Sequence, residues 1–295
     1  MLFRNIVIAL VLIASLMSVA KPAAATCLPV ARGPGNGILH ARFTPAAAAR
    51  GLSRDRFSPY LQRFRNAQTE RAIPPPEGII TLSYLGHSSF LITTPGNVTA
   101  ITDYNGYVRA GFTPNIVTMN HAHESHYTDF VEPAIQHALR GWAGLHGYPR
   151  HNLTLRDMRV RNVATNIRGI DGGVEIAGNS IFIFETNGLC VVHLGHLHHR
   201  LTPSHLGRIG AVDVLLAAID DGLTMSQIDL VAVIDQLNPR VVVPMHTFDD
   251  VLLDQFSDLM RKRGYATRHH GGASIQLSKR TLPRRTLLVL SPNVF

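Results

Sequence analysis

The chain has 295 residues, 45 % apolar and 16 % charged, a balance that excludes a disordered protein and leaves room for one large domain or two small ones. The formal net charge of +8 comes from scattered arginines. No stretch interleaves bases with aromatics, so a nucleic-acid platform is not expected, and the charge suits solubility or the steering of an anionic small molecule.

Arg4, the apolar run from Ile6 to Val19 and Ala23-Ala24-Ala25 have the layout of an export signal spanning residues 1–25. The alternative is an N-terminal membrane anchor, but the run is short for a bilayer span. Cleavage would remove Arg4 and Lys21, leaving a net charge of +6 and no anchor. A periplasmic or secreted location follows, where disulfides persist. Cys190, inside "LCVVHL", reads as a small core residue, with a bridge to Cys27 as the weaker alternative. Residues 26–77 form a preamble with one or two short helices over 46–72 and a stiff "PPPEG" linker. The main domain is expected over 78–295.

Within it, "IITLSYLG", "SFLITTP" and "VTAITDY" predict three strands, with a tight turn at Pro95-Gly96-Asn97. "NIVTMN" is a fourth strand that runs into "HAHESH". Pro133 and Gly141 bracket a predicted helix over 133–140. "SIFIFE" and "LCVVHLG" predict a hairpin across Thr186-Asn187-Gly188. A short helix opens at Thr202-Pro203, "VDVLLAAI" is a buried strand, and Ser226 and Asp229 start a helix that Pro239 ends. "RVVVPMH" is a strand ending at His246. Asp249, Asp250 and Asp254 open a last helix that "RKRG" closes, matching the helix dipole. Strands with helices outside them predict a layered α/β sandwich.

Several of the 16 histidines stand at the ends of predicted strands. His121 and His123 leave an extended segment on the same side, and His126 follows where the chain can turn back. His196 and His246 close two further strands. Imidazoles from three strand ends suit a divalent metal, zinc first, with manganese or iron as alternatives. Three nitrogens would leave an open catalytic position and four would close the site; the sequence leaves both open. His193 is expected to face away from His196, and His198 and His199 to lie in a solvated loop. His87 in "GHSSF" reads as a packed supporting residue. That stretch lacks the Gly-x-Ser-x-Gly pattern of a serine nucleophile. Tyr104, Tyr107 and Tyr127 are substrate contacts by position only.

"YLGHSSFLI", "TDY", "HAHESH", "HLGHLHH" and "PMH", in this order, resemble the metallo-β-lactamase superfamily, and within it the branch of ascorbate-6-phosphate lactonase and related metal-dependent hydrolases. The resemblance implies a four-layer αβ/βα sandwich and a metal-activated water acting on an ester, lactone, amide or phosphodiester of a small molecule. It also implies that His121 and His123 hold a first metal, and that His126 and His246 hold a second. His196 stands where the family has a bridging aspartate, and Ser125 where it has the aspartate of His-x-His-x-Asp-His. The third histidine of the first metal falls near Asn166. Two missing carboxylates leave adjacent dications poorly compensated, which favours one ion over two. Asp103 matches a family aspartate near the ligands; with Glu124 and Ser125 it is a candidate catalytic group, or else orients a ligand imidazole. The alternative to a hydrolase is a non-catalytic descendant that binds a metal or an anion.

Overall fold

The computed structural model describes Cys27 and residues 72–292, apart from 109, 122, 145, 146, 170 and 171. The export signal and the preamble helices lie outside the described residues. β1 (Ile80–Gly86), β2 (Ser89–Thr93), β3 (Thr99–Ile101), β4 (Ile116–Met119), β5 (His137–Arg140) and β13 (Ser274–Leu277) form one sheet in the order β13-β1-β2-β3-β4-β5. β6 (Asn152–Leu155), β7 (Met158–Arg168), β8 (Val174–Thr186), β9 (Leu189–His193), β10 (Val214–Ala218), β11 (Val241–Met245), β12 (Ala266–His269) and β14 (Thr286–Val289) form the other, in the order β12-β14-β11-β10-β9-β8-β7-β6.

The alternation of side chains along each strand sorts the apolar residues into layers. Phe90, Ile92, Ala100 and Ile116 meet Val160, Phe182, Phe184, Leu216 and Val243 between the sheets. Their neighbours Leu91, Ile101 and Val117 face outward, where Tyr127, Val131 and Trp142 pack on them from irregular segments. Among the described residues no helix covers that face. The outer face of the second sheet carries α1 (Pro203–Ile209), α2 (Gln227–Leu237) and α3 (Asp250–Lys262). α3 buries Leu253, Phe256 and Met260, a single stripe at helical spacing. Thr202, Ser226 and Asp249 cap the three helices through their side-chain oxygens.

Two expectations change. The predicted helix over 133–140 is instead β5, whose residues His137–Arg140 pair in parallel with Ile116–Met119; pairing with a buried neighbour strand overrides local helix signals. Cys190 is a core residue and also bonded: it forms a disulfide with Cys27, 163 residues away. The backbone carbonyl of Cys27 also accepts from Ala211 N at 2.7 Å.

The strands that matter for the site are β4, β9, β10 and β11, the last three mutually parallel. Their carboxyl ends open on one edge of the sandwich, the usual ligand edge of parallel α/β sheets. Closing so long a loop restricts the unfolded chain by about 5 kcal/mol in the chain-entropy view. Reduction of the disulfide is therefore expected to lower the thermal midpoint by roughly 10 °C. An unchanged midpoint with the thiols shown to be free would contradict this.

Candidate metal centre

Three backbone positions in the left-handed region build the site. His87 in the β1–β2 turn, Asp103 after β3 and His246 after β11 have φ of 52°, 43° and 55°. Each costs roughly 1–3 kcal/mol outside glycine, and such strain persists where the surroundings fix it. Here it turns each side chain into the gap between the sheets. The loop after β4 supplies the rest: His126 N bonds the His123 carbonyl at 2.9 Å, so the chain folds back on itself.

Five imidazoles converge. His87, His126 and His246 bring ligand nitrogens within 4.8 Å of one another, and so do His123, His126 and His196. The His87 and His246 ring centres are 4.1 Å apart and those of His123 and His126 4.5 Å. His126 Nδ1 donates to Asp103 Oδ2 at 2.6 Å, and His246 Nδ1 donates to Asp220 Oδ2 at 2.9 Å. With the proton committed to the carboxylate, each Nε2 keeps its lone pair. Both Nε2 atoms are buried and make no hydrogen bond among the described residues. A buried, orphaned acceptor whose opposite nitrogen rests on a carboxylate is the arrangement of a metal-ligating histidine, so the residues present fit a metal ion.

A second chain of bonds fixes the remaining rings. Arg168 N donates to His198 Nδ1 at 2.7 Å, so His198 presents Nε2–H to His196 Nδ1 at 2.6 Å. His196 then carries its own proton on Nε2, 3.2 Å from His123 Nε2. His123 accepts it and passes Nδ1–H to Ser125 Oγ at 2.6 Å. The serine in place of an aspartate therefore orients His123 and adds no charge.

The electrostatics agree. Burial, then the crowding of neighbouring imidazoles, pulls His87 down to about 3, His123 to about 4 and His196 to about 2. All three are neutral near pH 7, so none has to shed a charge beside a bound ion. Burial alone would raise Asp103, but His193, His126 and Asn120 hold it well below the carboxylate range. Burial also works against Asp220, which bonds from His246 and Thr224 bring to about 2.

The other singled-out residues take these places. His121 stands apart from both groupings, although the resemblance made it a first-metal ligand. Its Nδ1 bonds Glu175 Oε1 at 2.8 Å, and its ring stacks on Trp142 with centres 5.2 Å apart. The chain leaves its extended path at Asn120, so the alternation that paired His121 with His123 does not continue. Tyr127 packs on the same His121–Trp142 pair. His87, read as a supporting residue, joins the cluster. Glu124 is exposed. Asn166 accepts from Ala177 N at 3.0 Å and lines a separate cavity. His193 lies in neither grouping and props the His87 turn: it accepts from Gly195 N and donates to the Ser88 carbonyl.

Sequence reasoning missed Asp220, Asn120 and Asn179. Asp220 shares with Asp103 a place just past a short buried strand, which is a usable signal. Asn120 bridges Asp103 Oδ1 and Ser180 N, and Asn179 accepts from His196 N. Gly195 lies against both amides, and a Cβ there would run into them.

A family model described as a β-lactamase superfamily domain matches residues 81–246, from β1 to the last cluster histidine. The chain belongs to that superfamily, and its two mixed sheets are the α/β metallo-β-lactamase fold. A UPF0173 protein of Pyrococcus abyssi is 26 % identical over 226 residues, covering 70 % of this chain and 92 % of its own. A UPF0173 metal-dependent hydrolase of Lysinibacillus sphaericus is 25 % identical over 212 residues, covering 61 % and 92 %. The crystal structure of a Thermotoga maritima protein, assigned to the Zn-dependent hydrolases of the metallo-β-lactamase superfamily, aligns with a TM-score of 0.54 at 23 % identity. It covers 72 % of this chain and 100 % of that one.

Asp220→Asn leaves His246 in place but weakens the hold on its tautomer. Metal affinity is expected to fall about 10–100-fold, the usual cost of losing a ligand's partner. His121→Ala is expected to keep wild-type affinity. Equal losses in the two variants, measured by competition with a chelating dye, would contradict this assignment.

Proposed function

We propose that this chain is a metal-dependent hydrolase of small-molecule esters, lactones or phosphodiesters, built around one ion held only by imidazoles. The observation that carries the proposal is the pair of buried, unbonded nitrogens His126 Nε2 and His246 Nε2, each backed by a buried carboxylate. His87 completes their grouping, and the His123–His196 pair faces it. The hydrolase names borne by relatives from Lysinibacillus sphaericus and Methanosarcina barkeri support the reaction class.

One ion rather than two is supported by His126. Its single lone pair belongs to both groupings, so both cannot be filled at once as three-ligand sites. Neither grouping contains a carboxylate to bridge two dications. Zinc suits an all-nitrogen set, with manganese and iron as alternatives. Such an ion, when bound, supplies Lewis-acid polarisation and makes water more acidic. The protein supplies the geometry and the protons. Asp103 and Asp220 are committed to ligand imidazoles, and Glu124 is exposed. The proton available beside the ion is the one shared between His196 Nε2 and His123 Nε2. A substrate anchored there meets a proton donor fixed from behind by His198 and Arg168.

Export through residues 1–25 belongs to the same proposal, and the Cys27–Cys190 disulfide supports an oxidising compartment. The ascorbate-6-phosphate lactonase branch is the starting point for a substrate search. A non-catalytic metal-binding descendant is favoured by the absence of carboxylates from both groupings, and the same experiment separates it.

Turnover of p-nitrophenyl acetate, γ-butyrolactone and bis(p-nitrophenyl) phosphate would be measured before and after chelation, with metal added back. At least one substrate is expected to be hydrolysed only by the metal-loaded protein, with a loss of about 100-fold or more in His246→Ala. Hydrolysis indifferent to chelation and to His246→Ala would refute the reading. Turnover that appears only in a Ser125→Asp/His196→Asp variant would establish the non-catalytic descendant.

A further inference from the structure

β6 pairs with β7 only as far as Arg161, so residues 162–168 of β7 form an open sheet edge. A cavity of about 650 Å³ straddles that edge, within the range of small-molecule sites. None of the five cluster histidines lines it. Two consecutive residues of β7, pointing to opposite faces, build its walls. Asn162 accepts from His151 N at 2.7 Å and donates to the Pro149 carbonyl at 3.1 Å, which fixes the loop on either side of Arg150. Arg161 donates to the carbonyls of Arg208 and Ile209 and thereby fixes the end of α1 that carries Arg208. The charge of Arg161 is balanced by Glu185, with its Nε 2.5 Å from Oε1. No such partner meets Arg150 or Arg208: among the described residues neither guanidinium has a hydrogen bond or an ion pair.

The remaining lining offers donors. His205 Nδ1 accepts from Thr202 N in the helix cap, so its proton sits on Nε2, which makes no hydrogen bond among the described residues. Asn166 uses its Oδ1 on Ala177 N and leaves its amide Nδ2 unbonded among the described residues. Tyr148 adds a hydroxyl, and Ala164 and Ala177 keep the middle of the cavity open. Among the described residues the lining contains no carboxylate. Unpaired guanidiniums with neutral donors between them, and no competing acid, match a carboxylate or phosphate group, which arginine binds through paired N–H bonds.

We propose that this cavity binds the anionic group of a small-molecule ligand, a carboxylate or a phosphate monoester, through Arg150 and Arg208. A run of imidazoles joins it to the metal centre: His196 bonds His198, and the adjacent His199 faces His205 with ring centres 5.6 Å apart. The anionic end of a substrate would be seated here and its scissile bond presented toward the histidine cluster. That last step rests on the hydrolase reading; the binding site itself does not.

Titration calorimetry with inorganic phosphate and with succinate, on the metal-loaded wild type, on Arg150→Met/Arg208→Met and on His246→Ala, tests the two separately. At least one anion is expected to bind the wild type and His246→Ala alike, and at least tenfold more weakly in the double arginine variant. Both arginines are exposed, and an unchanged thermal midpoint shows that the fold is retained. No binding to the wild type, or equal binding in the double variant, would overturn the proposal. So would binding lost in His246→Ala but kept in the double variant, because the anion would then sit on the metal. Kinetics with p-nitrophenyl hemisuccinate and p-nitrophenyl acetate read the second step. The preference for the anionic ester is expected to fall at least tenfold in the double variant. Anion binding without hydrolysis of either ester, or of the lactone and phosphodiester named above, would leave the cavity standing and remove the hydrolase reading alone.

Discussion

A buried carboxylate is tolerated only where partners offset its desolvation, and this fold places two of them, Asp103 and Asp220, behind His126 and His246. Everything else at the site follows from satisfying that pair. Asn120 meets the second oxygen of Asp103 and ties it to the neighbouring sheet through Ser180 N. Thr224 and Gly222 meet Asp220 through a tight turn after β10. Removing one partner from such a buried pair typically costs about 3–5 kcal/mol. The carboxylates therefore fix the imidazoles as firmly as the sheets fix the carboxylates.

The same economy fits the two histidine groupings, neither of which contains a carboxylate among the described residues. Ser125 and His196 occupy the positions where the resemblance expects aspartates, and each contributes a hydrogen bond instead of a charge. Ser125 receives the proton of His123, and His196 is held between His198 and His123. The negative charge stands behind the imidazoles, on Asp103 and Asp220, where it sets tautomers. Under the proposed single-ion reading, neutral donors would leave the ion more electrophilic than one ringed by carboxylates.

The fold was legible because its strands are short apolar runs broken by Asn-Gly and Pro-Gly turns, and because the histidine motifs occur in family order. β5 was not, since Pro133 and Gly141 mimic helix punctuation while pairing with β4 decides the outcome. Nor were β7 and β8 read in full, because they carry Arg161, Asn162, Asn179 and Glu185 at positions where an isolated strand pattern shows only polarity. His123, His126, His196 and His246 stand at strand ends, and the fold groups them with His87. His121 lies apart from the grouped histidines and His87 among them, for reasons that spacing does not encode. His121 is drawn off by Glu175 and Trp142, which are distant in sequence, and His87 is turned inward by a left-handed backbone. The disulfide was equally hidden, since a cysteine in an apolar strand reads the same whether or not a partner reaches it.

A single ion held by nitrogen alone is what the proposed function rests on. Its most direct test is metal content per chain by mass spectrometry on untagged protein, joined to X-ray absorption at the edge of the metal found. About one ion per chain is expected, bound by imidazole nitrogens and by no carboxylate oxygen. Two ions per chain, or a carboxylate oxygen bound to the metal, would contradict this.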